Sequence, residues 1–138
     1  LPPGLGMLVL GVDHVDVQQN RIEKNDFVGV GMIDWCLALG DPGCQAEDNQ
    51  LPPGFEDSAL DYTRIVGNKF AGNHAGTPPP GPFETLGSDI LYVDASYFVP
   101  FLPAGTQNCQ SDNKLIKTSG NPSAQLIALP PDLLSECK

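Results

Sequence analysis

Positive charge is scarce in this chain. Seven Lys and Arg stand against 17 Asp and Glu in 138 residues, for a formal net charge of −10. A surface of that sign repels phosphate backbones and anionic lipid, which argues against nucleic acid as a partner. It suits cations, neutral glycans or basic proteins, and it favours solubility. No stretch approaches the ~18 consecutive apolar residues of a spanning helix, so no membrane span is expected. Leu1-Pro-Pro-Gly lacks the basic start and apolar run of a signal peptide. The expectation is therefore a cytosolic protein, or a chain that begins after processing or truncation. No Asn-x-Ser/Thr acceptor occurs, since Asn121 is followed by Pro. No G-x-S-x-G, H-E-x-x-H or phosphate-binding loop appears either. His14 and His74 are the only two histidines.

Cysteine is present four times, at Cys36, Cys44, Cys109 and Cys137, but never in the close C-x2–4-C knuckles of zinc sites. Three pairings are possible. Cys36 and Cys44 flank Leu-Ala-Leu-Gly-Asp-Pro-Gly, whose turn residues let them meet, and Cys109 with Cys137 would then close the C-terminal segment. Free thiols and a four-cysteine metal site are the rivals. Each bridge would add roughly 2–4 kcal/mol. Disulfides imply an oxidising compartment, and hence a secreted or cell-envelope location. Gly (15) and Pro (14) are abundant while apolar content is ordinary, which describes a folded protein with many turns.

What the chain does contain is self-similarity. Val17-Gln-Gln-Asn-Arg-Ile-Glu-Lys-Asn25 matches Ile65-Val-Gly-Asn-Lys-Phe-Ala-Gly-Asn73. Val17 falls on Ile65, Asn20 on Asn68, Arg21 on Lys69, Ile22 on Phe70 and Asn25 on Asn73. Asp112-Asn-Lys-Leu-Ile is a degenerate third copy, with Asn113, Lys114 and Leu115 over Asn20, Arg21 and Ile22. Gly6-Met-Leu-Val-Leu aligns with Gly29-Val-Gly-Met-Ile, and that in turn with Asp89-Ile-Leu-Tyr-Val-Asp94. Met7 then lies over Val30, Val30 over Ile90, Met32 over Tyr92 and Asp34 over Asp94. The apolar runs are too short for helices and end at Asn, Gly or Asp, which reads as short strands. A period of roughly 20–25 residues is the scale of stacked β-coils. In such a stack the aligned apolar residues face inward. The asparagines sit at corners, where Asn tolerates φ > 0 and its amide can bond the next coil as a ladder. Ordinary turn asparagines are the alternative.

These residues resemble the right-handed parallel β-helix repeat proteins. The likeness is carried by Val15-Asp-Val-Gln-Gln-Asn-Arg-Ile-Glu-Lys-Asn-Asp-Phe-Val-Gly-Val-Gly-Met-Ile-Asp-Trp-Cys36 and by Arg64-Ile-Val-Gly-Asn-Lys-Phe-Ala-Gly-Asn73. Gly76-Thr-Pro-Pro-Pro-Gly-Pro, Asp89-Ile-Leu-Tyr and Asn108-Cys-Gln-Ser-Asp-Asn are similar to the C-terminal part of secreted or envelope bacterial members. The resemblance implies an all-β fold, a right-handed parallel β-helix of about three to four coils. It would form one domain over 1–138, with loop insertions at 36–60 and 76–88 and a C-terminal cap over 116–138. Pro131-Asp-Leu-Leu-Ser-Glu-Cys137 reads as one helical turn capped by Asp132. Related proteins have more coils, which implies either a fragment of a longer chain or an N-terminal coil covered by a partner.

Chemistry is less legible. Asp34 and Asp94 align, and members of the lyase type use clustered Asp for calcium with a nearby Arg or Lys as base. Asp61 or Asp89 could add oxygens, but calcium wants six to eight, and turn capping is the plainer reading of Asp34 and Asp94. Arg21, Lys24, Arg64 and Lys69 lie near the repeats, and Arg21 and Lys69 occupy equivalent outward places, as on a solvated face. Glycoside hydrolysis needs two close carboxylates, and no spacing singles out a pair among Asp13, Asp16, Glu23 and Asp26. Trp35, Tyr62, Tyr92 and Tyr97 could stack on sugars, although Tyr92 aligns with the core and Trp35 suits packing on a disulfide. The expectation is a non-catalytic extracellular structural or binding module with no cofactor. Its coil ends would meet a second copy or another protein, and polysaccharide is a further partner. The alternative is a carbohydrate-active enzyme, calcium-dependent and lyase-like, or the C-terminal fragment of one.

Overall fold

The structure is a computed structural model that describes residues 4–39, 58–74, 76–77, 79–81, 84–99, 102–116 and 126–138. Eleven short strands dominate these residues: β1 (Leu5–Leu10), β2 (Asp16–Gln18), β3 (Arg21–Glu23), β4 (Val28–Ile33), β5 (Arg64–Val66), β6 (Lys69–Ala71), β7 (Ser88–Val93), β8 (Asn108–Ser111), β9 (Lys114–Ile116), β10 (Leu126–Leu129) and β11 (Leu134–Glu136). Helix is limited to α1 (Trp35–Leu39) and three single 3-10 turns.

The strands form three sheets, ordered β1-β4-β7-β10, β2-β5-β8-β11 and β3-β6-β9. Every pairing is parallel. The chain visits the first, second and third sheets in turn and then returns to the first, so each strand pairs with the strand one circuit on. This all-β arrangement is compatible with a β-helix or solenoid. The register joins Val17 to Ile65, Ile22 to Phe70 and Phe70 to Leu115. It also joins Met7 to Val30, Val30 to Ile90 and Met32 to Tyr92.

Alternation explains the interior. The middle residues of β2, β3, β5 and β6 are Val17, Ile22, Ile65 and Phe70, all buried between more exposed neighbours. They share one cluster with Val9, Val30, Met32, Leu60, Ile90, Tyr92, Ala128 and Leu134. The apolar row of the second sheet turns polar at β8, where Gln110 pairs with Ile65. The first sheet differs from the other two. All six residues of β4 and all six of β7 are buried, as in parallel sheets covered on both faces. A second cluster, Phe27, Val28, Leu91 and Val93, packs with Leu37 and Leu86, so the segments after β4 and before β7 cover that face.

Cys109 and Cys137 form a disulfide with Cα atoms 4.9 Å apart. Cys36 is buried and also disulfide-bonded, whereas Cys44 lies outside the described residues. So does most of 36–60. The C-terminal segment departs from its expected helical turn. Pro131–Leu133 form a 3-10 turn with Pro130 at the N-cap and no side-chain capping bond. The chain then resumes as β11, pairing with β8. Among the described residues no helix is long and apolar enough to cross a membrane.

Candidate functional site

The polar residues that stand out in the sequence gather at the corners between sheets. At the corner between the second and third sheets, Asn20 donates from its backbone N–H (2.9 Å) and Nδ2 (3.0 Å) to Asn68 Oδ1. Asn68 repeats both bonds to Asn113 Oδ1, at 2.9 and 3.0 Å. Asn68 Nδ2 also reaches back to Val17 O (2.8 Å), and Asn113 Nδ2 to Ile65 O (2.7 Å). The left-handed residue is not the asparagine but the one before it: Gln19, Gly67 and Asp112 have φ of 54°, 69° and 54°. The bend thus precedes the asparagine, whose side chain then lies along the stack.

The next corner repeats the device with a different last rung. Asn25 N–H (3.2 Å) and Nδ2 (2.9 Å) donate to Asn73 Oδ1, and Asn73 Nδ2 bonds Ile22 O and Asp89 Oδ1, both at 2.9 Å. Lys24 and Gly72 supply the positive φ. Asp89 is 1% exposed, and its Oδ2 makes no hydrogen bond among the described residues. Burial pushes its carboxyl above the ordinary carboxylate range, opposed by the Asn73 bond and the nearby His74. Sequence reasoning did not find this rung, because an aspartate after a proline-rich break does not look like an asparagine repeat.

A third corner was also missed. Asp61 N–H donates to Asp13 Oδ1 (3.3 Å), and Thr106 N–H and Oγ1 donate to Asp61 Oδ1 (2.7 and 3.1 Å). His14, Tyr62 and Gln107 follow with φ of 58°, 54° and 54°. The rings of His14 and Tyr62 stack with centroids 4.6 Å apart, exposed at the surface. The signal was available: Asp13-His14 precedes the first repeat by the same offset as Asp61-Tyr62 precedes the second.

Asp34 and Asp94 are both fully buried. Asp34 accepts from the N–H of Cys36 (2.9 Å) and of Ala95 (3.3 Å). Desolvation raises its carboxyl, against hydrogen bonds from Ser58, Cys36 and Ala95, and the charge of Asp94 adds to the rise. Asp94 caps the 3-10 turn Ala95–Tyr97 through Ser96 N–H (2.9 Å) and the Ser96 hydroxyl. It also accepts from Gly105 N–H (2.8 Å) and Tyr92 Oη (2.7 Å). Burial and this contact push the Tyr92 hydroxyl far above the usual tyrosine value. Calcium needs six to eight oxygen ligands. Here the oxygens are turned toward backbone N–H and hydroxyl donors, as in turn caps. Among the described residues no group of three or more His, Cys, Asp or Glu is placed to hold a metal.

Asp13, Asp16 and Glu23 bond different partners rather than one another: Asp61 N–H, Arg64 (3.7 Å) and Arg21 (2.6 Å). Tyr92 is in the core, while Tyr97 and Phe98 form an exposed edge-to-face pair.

The ends of the sheets complete the inventory. β1, β2 and β3 are edges at one end, and β9, β10 and β11 at the other. The third sheet has three strands where the others have four. A cavity of about 270 Å³ lies over β3, lined by Gly6, Met7, Asn20, Arg21, Ile22, Glu23 and Asn25. Asn20 Oδ1 and Asn25 Oδ1 accept nothing among the described residues, although the same atom of Asn68, Asn73 and Asn113 takes two donors. No family model matches the chain, and neither a curated protein nor a solved structure matches it.

Proposed function

We propose that the chain is a right-handed parallel β-helix of the secreted or cell-envelope bacterial type. It acts as a non-catalytic structural or binding module whose ends join further β-coils, from a second copy or another protein. Parallel crossovers within one sheet are right-handed in about 98% of cases, which supports the handedness. The Cys109–Cys137 bridge is in keeping with an oxidising compartment.

One observation carries the assembly reading. Among the described residues, the two asparagine columns stop at the same end of the stack as β2 and β3, the edge strands of their sheets. An unpaired strand edge is a template for another strand, and unfilled amide oxygens set in line with it fix the register of what arrives. Parallel strand addition is a known mode of recognition, with main-chain bonds giving affinity. Sedimentation velocity and electron microscopy across a concentration series test this. Concentration-dependent assembly that is lost in the Asn20→Ala/Asn25→Ala double variant is expected. A strict monomer at every concentration counts against it. Release of unsaturated products from an acidic polysaccharide, dependent on calcium and abolished by Asp34→Ala, would replace it with a lyase.

A further inference from the structure

The strand β11 is joined to β8 by different means from those that join β2, β5 and β8. In the second sheet one register row runs Val17, Ile65, Gln110 and Glu136. It is apolar where β2 meets β5 and polar where β8 meets β11. Side-chain hydrogen bonds link the first three circuits at their corners, through Asn20, Asn68 and Asn113 and through Thr63 N–H to Asn108 Oδ1 (3.0 Å). Among the described residues no such bond reaches β11. Of its three residues only Leu134 is buried, and the 3-10 turn ahead of it has no side-chain cap. Besides Leu134 and a short run of backbone pairing, what holds β11 is the bond from Cys109 to Cys137. The joint that lacks an apolar row and amide bonds is the one made covalent.

That bond is also within reach of solvent. Cys109 and Cys137 are half-buried, whereas Cys36 is buried. The two sulfurs of the bridge have different surroundings. Cys109 is the register partner of Arg64 on one side and of Ser135 on the other. Residues at one register position share a face of the sheet, and neighbouring strands lie ~4.8 Å apart. The exposed Arg64 therefore stands beside Cys109, with Asp16 on its far side at 3.7 Å. Cys137 follows β11 between Glu136 and Lys138, whose charges offset each other. A cation nearby favours a thiolate, and in thiol–disulfide exchange the sulfur that is better stabilised as thiolate leaves faster.

We propose that Cys109–Cys137 is a thiol-exchange site and the latch of β11. An external thiolate attacks Cys137 Sγ. A new S–S bond forms there as the Cys109–Cys137 bond breaks, and the electron pair leaves on Cys109 Sγ as a thiolate beside Arg64. With a monothiol the products are a mixed disulfide on Cys137 and a free Cys109. A dithiol continues: its second thiolate attacks its own sulfur in the mixed disulfide and departs as a cyclic disulfide. Cys137 is returned as a thiolate that takes a proton from solvent, so the dithiol is oxidised and the protein bridge reduced by two electrons. Without its covalent tie β11 comes away from β8 and leaves that edge open as a template for another strand. An oxidising compartment keeps the latch shut. The chemistry belongs to the bridge itself and holds whether or not the ends of the stack assemble.

The folded full chain, treated with 2-mercaptoethanol or dithiothreitol and quenched with iodoacetamide, tests it by peptide mapping in a mass spectrometer. Both reagents are neutral, so the −10 charge of the chain does not bias their approach. The monothiol should appear on Cys137 and the alkyl group on Cys109, while Cys36 is still bridged. Hydrogen exchange on the dithiothreitol-treated sample should show β11 losing protection while β5 and β7 keep theirs. Arg64→Ala should slow the opening about fourfold at low salt, the size of one unit charge acting across a strand spacing in water. Arg64→Lys should retain most of the parent rate. Arg64 is exposed, and circular dichroism verifies that both variants fold. The proposal is overturned by a monothiol found mainly on Cys109, by a bridge at Cys36 that opens first, or by an Arg64→Ala variant that reacts like the parent. A β11 still protected after the bridge has opened overturns the latch.

Discussion

At the scale of single residues, this protein spends its buried amides on joining one coil to the next. Asn68 is the clearest case, at 1% exposure with both ends of its side chain engaged. Asn68→Ala strands Asn20 N–H and Val17 O together, and each unmet buried group costs about 1–3 kcal/mol. A loss of roughly 3 kcal/mol in denaturant unfolding is expected, while exposed Gln18→Ala should stay within about 0.5 kcal/mol of the parent. Asp89 makes the opposite point, because its charge is a liability. Its folded-state pKa is raised, chiefly by desolvation, so the folded protein holds that proton more tightly than the unfolded chain. The stability this contributes is complete below the unfolded carboxylate value of ~3.9 and is lost as pH rises through the folded value. Buried Asp34 acts in the same direction. Thermal melts should therefore show a rising midpoint as pH falls from about 7 toward about 4. Asp89→Asn should raise the midpoint at neutral pH and make that slope shallower, and an unchanged slope would refute the assignment. The asparagine columns were legible in sequence because Asn20, Asn68 and Asn113 repeat with the same neighbours. The aspartate rung and the placement of the bend were not. An acceptor oxygen is all the last rung needs, so Asp89 serves there without resembling Asn73. The left-handed turn falls on Gln19, Gly67 and Asp112, which share no side-chain chemistry.

At the scale of elements, three-residue strands hold only because each is paired on both sides or closes a stack. β5 illustrates this, lying between β2 and β8 with Ile65 fully buried. Such strands were readable wherever a repeat fixed their phase, as in Val17 with Ile65 and Ile22 with Phe70. β11 was not, because Asp132 ahead of it reads as the cap of a helical turn, and only pairing with β8 makes Leu134–Glu136 a strand. Among the described residues that strand is an edge of its sheet, so covalent closure matters most there. Cys109 and Cys137, 28 residues apart, tie β8 to the residue that follows β11. A loop of that size is worth roughly 3–4 kcal/mol in the chain-entropy model. The Cys109→Ala/Cys137→Ala variant should unfold at lower denaturant. Its amide protons in β10 and β11 should exchange first, since edge elements open most readily. Uniform acceleration of exchange through all three sheets would show instead that the C-terminal strands are not a separate unit.

At the scale of the whole molecule, net charge opposes assembly. Bringing two copies of a −10 chain together is resisted by their mutual repulsion. Salt screens that repulsion, with a Debye length of ~10 Å at 0.1 M and ~3 Å at 1 M. End-to-end assembly, held by backbone pairing, should therefore strengthen as salt is added. Sedimentation velocity on one preparation, at about 0.05 M and about 0.5 M salt, measures it. Assembly that weakens as salt rises would mean that charge attraction rather than strand pairing holds the copies together, and the assembly reading would be wrong.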